Sequence, residues 1–274
     1  MRYLLDTNIF YHLSSGKLVL NDLPSINNNT FYISPISIFE LLCNDSPYES
    51  RIGPIKEVNK LLDKGMILLD GNFVAIAQHF RVENPAVKND YSKDNLKYDL
   101  IDFAHPDTPI VNMKRMLEPM KRKFYEAKDV WLKGMKATKE NHIRHYHGNI
   151  KKLKLSGSSL RTFRDNKESF LEEYRLGLSS DMIKALEVRF NTSIGDHGAV
   201  PSSFRPYTDV LMYYLYDLVE NKRSPRHNDR ADLTHFIYCN MPVDKIITGD
   251  KYWTRVAREA GYDDYLLVPS LRDI

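Results

Sequence analysis

The sequence predicts an α/β protein, a mostly parallel sheet with helical crossovers, split by a helical insertion. Three observations predict it. Five short apolar runs, near residues 2–5, 31–34, 66–69, 245–248 and 265–268, each lie between turn or helix signals, as buried strands do. Helical patterns follow most of them, which is the order expected of a parallel sheet. Between the third and fourth runs, apolar residues recur at helical spacing over a long polar stretch.

The first strand, Tyr3-Leu4-Leu5, ends at Asp6 and opens Asp6-Thr7-Asn8. Its carboxylate is thereby placed just past the carboxyl end of a buried strand, where open α/β sheets hold their ligands. A carboxylate there is costly unless something cationic pairs with it. The second strand runs into Ser34-Pro35, a good helix start: serine caps free amides, and proline at the first position has no amide to lose. That start puts Glu40 about a turn and a half inside the helix.

Residues 83–205 stand apart from this alternation. They open with loop-like punctuation such as Asn84-Pro85 and His105-Pro106. From there Met113, Leu117, Met120, Phe124, Ala127 and Trp131 recur in steps of four and three, one face of a long helix that Pro119 should kink or begin. Further helices are expected over Ser158–Leu176 and Ser180–Phe190, before a Gly-, Pro- and Ser-rich passage leads back. The expected organisation is a core of residues 1–82 and 206–274 with a removable helical, basic insertion of residues 83–205 whose ends lie side by side.

After the return, Asn228–Asn240 reads as a helix on which Asp229 and Asp232 share one face and Leu233, Phe236 and Ile237 form the apolar stripe. The fourth strand closes on Thr248-Gly249-Asp250, a second carboxylate just past a strand end. Gathered into one pocket, Asp6, Glu40, Asp232 and Asp250 call for a hard divalent cation, because otherwise their repulsion raises their pKa values and destabilises the fold. Asp229 is a candidate further ligand, and Asn8 and Thr248 are candidates to orient the carboxylates. His235 is expected to pack, and Asp209 to be an acid in a first helical turn. His142, His145 and His147 lack the spacing of a zinc helix. No Gly-rich phosphate loop is present, which excludes P-loop nucleotide hydrolysis and nicotinamide redox chemistry.

Composition is that of an ordinary globular protein, 42% hydrophobic and 27% charged over 274 residues. Two distant cysteines, Cys43 and Cys239, predict neither a disulfide framework nor a zinc site. No apolar run reaches the length of a membrane span and the chain enters a strand at once, so a cytoplasmic protein is expected. Charge is uneven. Val111–Leu160 has thirteen Lys or Arg against four Asp or Glu and carries +9, the remainder carries −6, and the net is +3. Taken alone, such a stretch reads as a solvated helix face; beside an acidic metal pocket, Lys121, Arg122, Lys128, Lys136, Lys151, Lys152 and Lys154 are expected to contact nucleic-acid phosphates. Tyr125 and Tyr146 are candidates for base stacking, while Trp131 falls on the apolar stripe.

In order and local wording these segments resemble the PIN-domain nucleases. "YLLDTNIF" at positions 3–10 looks like the family's first motif, Ser34 with Glu40-Leu41 like the second, Asp232 in its apolar helix like the third, and Thr248-Gly249-Asp250 like the fourth. The resemblance covers roughly residues 1–82 and 206–274. It implies a Rossmann-like three-layer fold, Mg²⁺ or Mn²⁺ held by the four acids, and phosphodiester hydrolysis, with RNA as the expected substrate. The same resemblance admits a catalytically silent module that binds nucleic acid or a protein partner, or a structure-specific DNA nuclease.

Overall fold

In the computed structural model, residues 1–82, 100, 103, 110–152, 167–194 and 200–272 are described. The sheet has five strands, β1 (Arg2–Leu5), β2 (Thr30–Ile33), β3 (Ile67–Leu68), β4 (Lys245–Ile247) and β5 (Leu266–Leu267), all parallel and ordered β3-β2-β1-β4-β5. All five fall where apolar runs predicted them. The chain builds outward from β1 on one side, then returns to add β4 and β5 on the other. The order therefore reverses between β1 and β4, the crevice where parallel sheets hold ligands.

Alternating side chains of each strand feed two separate cores. Tyr3, Leu5, Phe31, Ile33, Ile247 and Leu267 enter one, and Leu4, Tyr32, Ile246 and Leu266 the other. The first core also takes Ile9, Phe10 and Leu13 of α1 (Thr7–Ser14), Ile38 and Leu41 of α2 (Pro35–Cys43), and Ile55 and Val58 of α3 (Tyr48–Asp63). The second takes Ile76 of α4 (Asn72–His79), and Val256 and Ala257 of α9 (Lys251–Ala260). Most of α7 (Arg205–Glu220) is buried on every side, Val210 to Leu218 without a break. A helix that is buried all round must be covered on its outer side too, and the middle of the chain does this.

That middle is two long helices, α5 (Ile110–Lys152) and α6 (Lys167–Phe190). Pro119 lies inside α5 and does not begin it. One helix replaces the two expected across residues 176–180. Gly177 is exposed and a Cβ there would meet nothing, so the glycine costs α6 only about 1 kcal/mol of propensity. Packing of Leu171, Leu178, Ile183 and Leu186 on the second core offsets that cost. Residues 158–166 lie outside the described residues.

Leu117, Met120 and Phe124 of α5 belong to the first core, whereas Met135 belongs to the second. Hence α5 passes from one face of the sheet to the other. The chain re-enters beside where it left, with His79 Nδ1 3.0 Å from Ser203 Oγ and the Phe80 and Phe204 rings edge-on at 5.8 Å. The expected removability of residues 83–205 is nonetheless corrected: excision would strip both cores of buried side chains. Arg175 of α6 ties this segment down further, pairing with the buried Asp209 of α7, which also accepts from Tyr262 Oη at 2.7 Å. Asp209 is thus an anchor between elements, a role its position in a first helical turn did not suggest. Among the described residues no helix is long and apolar enough to cross a membrane.

Candidate active site

Parallel register does the first part of the assembly. Leu5 pairs with Ile247, so the next residues out, Asp6 and Thr248, meet at the carboxyl ends of the two central strands. Thr248 Oγ1 donates to Asp6 Oδ2 at 2.6 Å and accepts from the Asp250 amide at 3.0 Å. Asn8 Nδ2 donates to the same Asp6 oxygen at 2.6 Å, while its Oδ1 accepts from the Gly249 amide at 3.0 Å. Gly249 is closely flanked: a Cβ would lie 3.0 Å from His12 Nε2, so the imidazole would have to give way to a side chain there. Asp6 is almost fully buried and begins α1 without capping it through its side chain. Its carboxylate is held for something else.

The helix α2 brings Glu40. Ser34 accepts from the Ser37 amide at 3.2 Å, with Pro35 in the first turn, as the sequence indicated. Ser34→Ala is expected to cost about 1 kcal/mol in denaturant unfolding. Thr7 Oγ1 donates to Glu40 Oε2 at 2.8 Å, and Lys128 Nζ stands 3.9 Å from Oε1. Burial pushes the Glu40 carboxyl up to about 7, with Lys128 and Thr7 opposing the rise and Asp6 adding to it.

Lys128 corrects an expectation. The sequence places it on a solvated basic face, yet it is 3% exposed, hydrogen-bonded to Asn228 Oδ1 at 3.2 Å, with its own Phe124 ring 4.5 Å below. Its loss of water lowers its pKa, and Glu40 opposes that fall. The other predicted phosphate contacts scatter. Lys121 pairs with Asp45 at 3.0 Å, Arg122 with Glu126 at 3.4 Å, and Lys136 is exposed. Lys151 and Lys152 lie on α5 with undescribed side chains, and Lys154 lies outside the described residues. Tyr125 donates to Asp45 Oδ2 at 2.6 Å, and Trp131 packs against the second core.

The helix α8 (Asp229–His235) brings Asp232, Asp229 and His235. Asp229 is buried, with Oδ2 accepting from Tyr214 Oη at 2.7 Å and from the Arg226 amide at 2.9 Å. His235 lies between Ser37 Oγ, 3.0 Å from Nε2, and Asp6 Oδ1, 3.6 Å from Nδ1, and burial lowers its pKa against the pull of Asp6. Asp250 caps α9, accepting from the amides of Tyr252 at 2.7 Å and Trp253 at 3.0 Å. Asp232 is the half-buried acid on which the others act. Burial first, then Asp6, Glu40, Asp250 and Asp229 in turn, push its carboxyl well above the ordinary range.

Asp229, Asp232 and Asp250 line an open cleft of about 680 Å³ together with the basic residues Arg223, Arg226 and His227. Sequence reasoning missed these basic residues. It missed Asp217 as well, which is buried and holds Arg223 at 3.3 Å and Arg255 at 2.7 Å. A Lys-Arg-Ser-Pro-Arg run just before the acidic helix was the available signal. As the side chains stand, no three His, Cys, Asp or Glu among the described residues are close enough together to hold a metal ion. No protein-family model, no curated protein and no solved structure matches the chain.

Proposed function

We propose that the acidic cleft hydrolyses phosphodiester bonds with a divalent cation, and that RNA is its substrate. The observation that carries this reading is the excess of negative charge around Asp232, where four other carboxylates act on one carboxyl that is half withdrawn from water. A site so charged fits a hard cation, and its donors are all carboxylate oxygens. Asp6, Glu40, Asp232 and Asp250 would hold Mg²⁺ or Mn²⁺, with Asp229 as a further ligand through its Oδ1. Such a cation, when bound, supplies Lewis-acid polarisation of a phosphoryl oxygen and an acidified water.

The chain's own groups have distinct work. Asn8 and Thr248 hold Asp6 in one orientation through a shared Oδ2. Glu40, poised near neutrality, can hold or release a proton at physiological pH. Arg226 is an exposed member of the cleft's lining, where a guanidinium suits the phosphate of an incoming strand. The basic helix α5 adds long-range attraction for a polyanion.

Incubation of the purified protein with labelled single-stranded RNA, structured RNA and flap DNA, each with Mg²⁺, Mn²⁺ or chelator, tests this directly. Cleavage of RNA that chelator stops is the expected result. A second reading, binding without cleavage, is favoured by the protein donors already engaging Asp6, Glu40 and Asp250. It predicts retention of nucleic acid and no product with any metal.

A further inference from the structure

A second cavity, of about 450 Å³, lies between α2, the start of α4 and α5. Ile36, Phe39, Phe73 and Phe124 form its apolar walls, and Arg230 and Lys123 are its cations. Its size is that of a small-molecule site, apolar with a few charged groups to fix orientation. Three of its elements are those of the acidic group, one or two residues removed: Phe39 precedes Glu40, Ala127 precedes Lys128, and Arg230 stands two residues before Asp232 on α8. Whatever fills the cavity is therefore a close neighbour of whatever meets the acids.

Arg230 is the unusual member. It is half-buried, and among the described residues no carboxylate or hydrogen-bond acceptor pairs with it. Burial lowers the pKa of its guanidinium, with only Tyr207 pulling the other way. A cation withdrawn from water without a partner is expensive, and an anionic ligand removes that cost. Phe73 is 46% exposed and Arg189 lies 5.6 Å over its ring, a third cation beside an aromatic face.

We propose that this cavity is a nucleotide subsite that takes one unstacked base of a single strand against its aromatic walls and an adjoining phosphate on Arg230. The proposal rests on reading the acidic cleft as a nuclease site. Phe124 is stacked on Phe39 and covered by Lys128, so the exposed Phe73 ring is the wall that matches a base, which any sequence can present by its π-face. The fixed fork of arginine matches a phosphate bidentately. A base can enter only when it is unpaired, so this subsite selects unpaired over duplex strands.

The test measures binding of a labelled single-stranded RNA oligomer in chelator, so that nothing is cleaved, against an abasic oligomer of equal length with the same phosphates. Arg230→Gln removes the anion partner, and Ala127→Trp fills the cavity from a half-buried position. Thermal melting confirms that both variants fold. Each variant is expected to bind the base-bearing oligomer about tenfold or more weakly, the loss of a charged hydrogen bond or of one stacked base. The abasic oligomer should bind all three proteins weakly, and Ala127→Trp, which blocks only the base, should leave its affinity unchanged. Wild-type affinity in both variants, or an abasic oligomer bound as tightly as the intact one, overturns the subsite while leaving cleavage by the acidic cleft standing. Base-dependent binding lost in the variants, with no cleavage in Mg²⁺ or Mn²⁺, keeps the subsite and removes the nuclease reading.

Discussion

Asp232→Asn is expected to abolish cleavage and, in metal-free buffer, to make the protein harder to unfold. The two effects share one cause. Asp232 has no described protein donor, and burial together with Asp6, Glu40, Asp250 and Asp229 disfavours its charge. Asparagine keeps the shape and removes that charge, so repulsion falls where no cation is present. A gain of about 1 kcal/mol corresponds to about 2–4 °C in melting temperature for a chain of this size. With Mg²⁺ or Mn²⁺ the order should reverse, because wild-type gains cation binding that the variant has lost. Cleavage should fall by on the order of 10³-fold, the worth of several kcal/mol of charge stabilisation at a phosphoryl oxygen. Asp6→Asn and Asp250→Asn are less clean probes, since each carboxylate also accepts hydrogen bonds that support β4 or α9. Melting curves in chelator and in Mg²⁺, beside a cleavage assay, decide the matter. A variant that still cuts RNA, or one that melts lower without metal, sinks the assignment.

Glu40→Gln should change how stability depends on pH. Glu40 has its carboxyl raised from an ordinary 4.5 to about 7, chiefly by burial. A raised pKa means that the folded state holds the proton more tightly than the unfolded chain. The stability this contributes is fully present below pH 4.5 and is lost as pH rises through 7. At about 1.4 kcal/mol for each tenfold change in proton affinity, the loss is about 3 kcal/mol. Glutamine does not titrate. Relative to wild type, the variant should therefore gain about 3 kcal/mol between pH 4.5 and 8. His235 and His79 have lowered pKa values and lose stability on the acid side instead. Both are common to the two proteins, so their contributions cancel in the difference. Urea unfolding at several pH values in chelator measures it, and parallel curves for the two proteins would refute a buried, protonated Glu40.

What the sequence made legible was local. Each strand is a short apolar run, and Ser34-Pro35 starts its helix with a capping bond three residues long, so neighbours in sequence suffice to find them. The acids past β1 and β4 were legible because a strand end fixes where the next side chain goes. Lys128 was not, because a lysine in a basic helix is indistinguishable from its neighbours until α5 is known to cross from one core to the other. Its partners Glu40 and Asn228 are 88 and 100 residues away. His235 with Ser37, and Asp217 with Arg255, are likewise distant pairings. Periodicity reports which face of a helix is apolar, and never which cavity its polar face meets.

The hydrogen bond from Thr248 to Asp6 joins residues 242 positions apart, and β1 with β4 forms the centre of the sheet. A ribosome extending the chain by about 5–20 residues per second needs on the order of 10–50 s to travel that distance. Throughout that interval β1 has β2 on one edge and an open edge on the other, and Asp6 is without Thr248. No nascent chain shorter than β4 can assemble the acidic cleft. Whatever meets these acids in a cell therefore meets a chain whose synthesis has already passed β4.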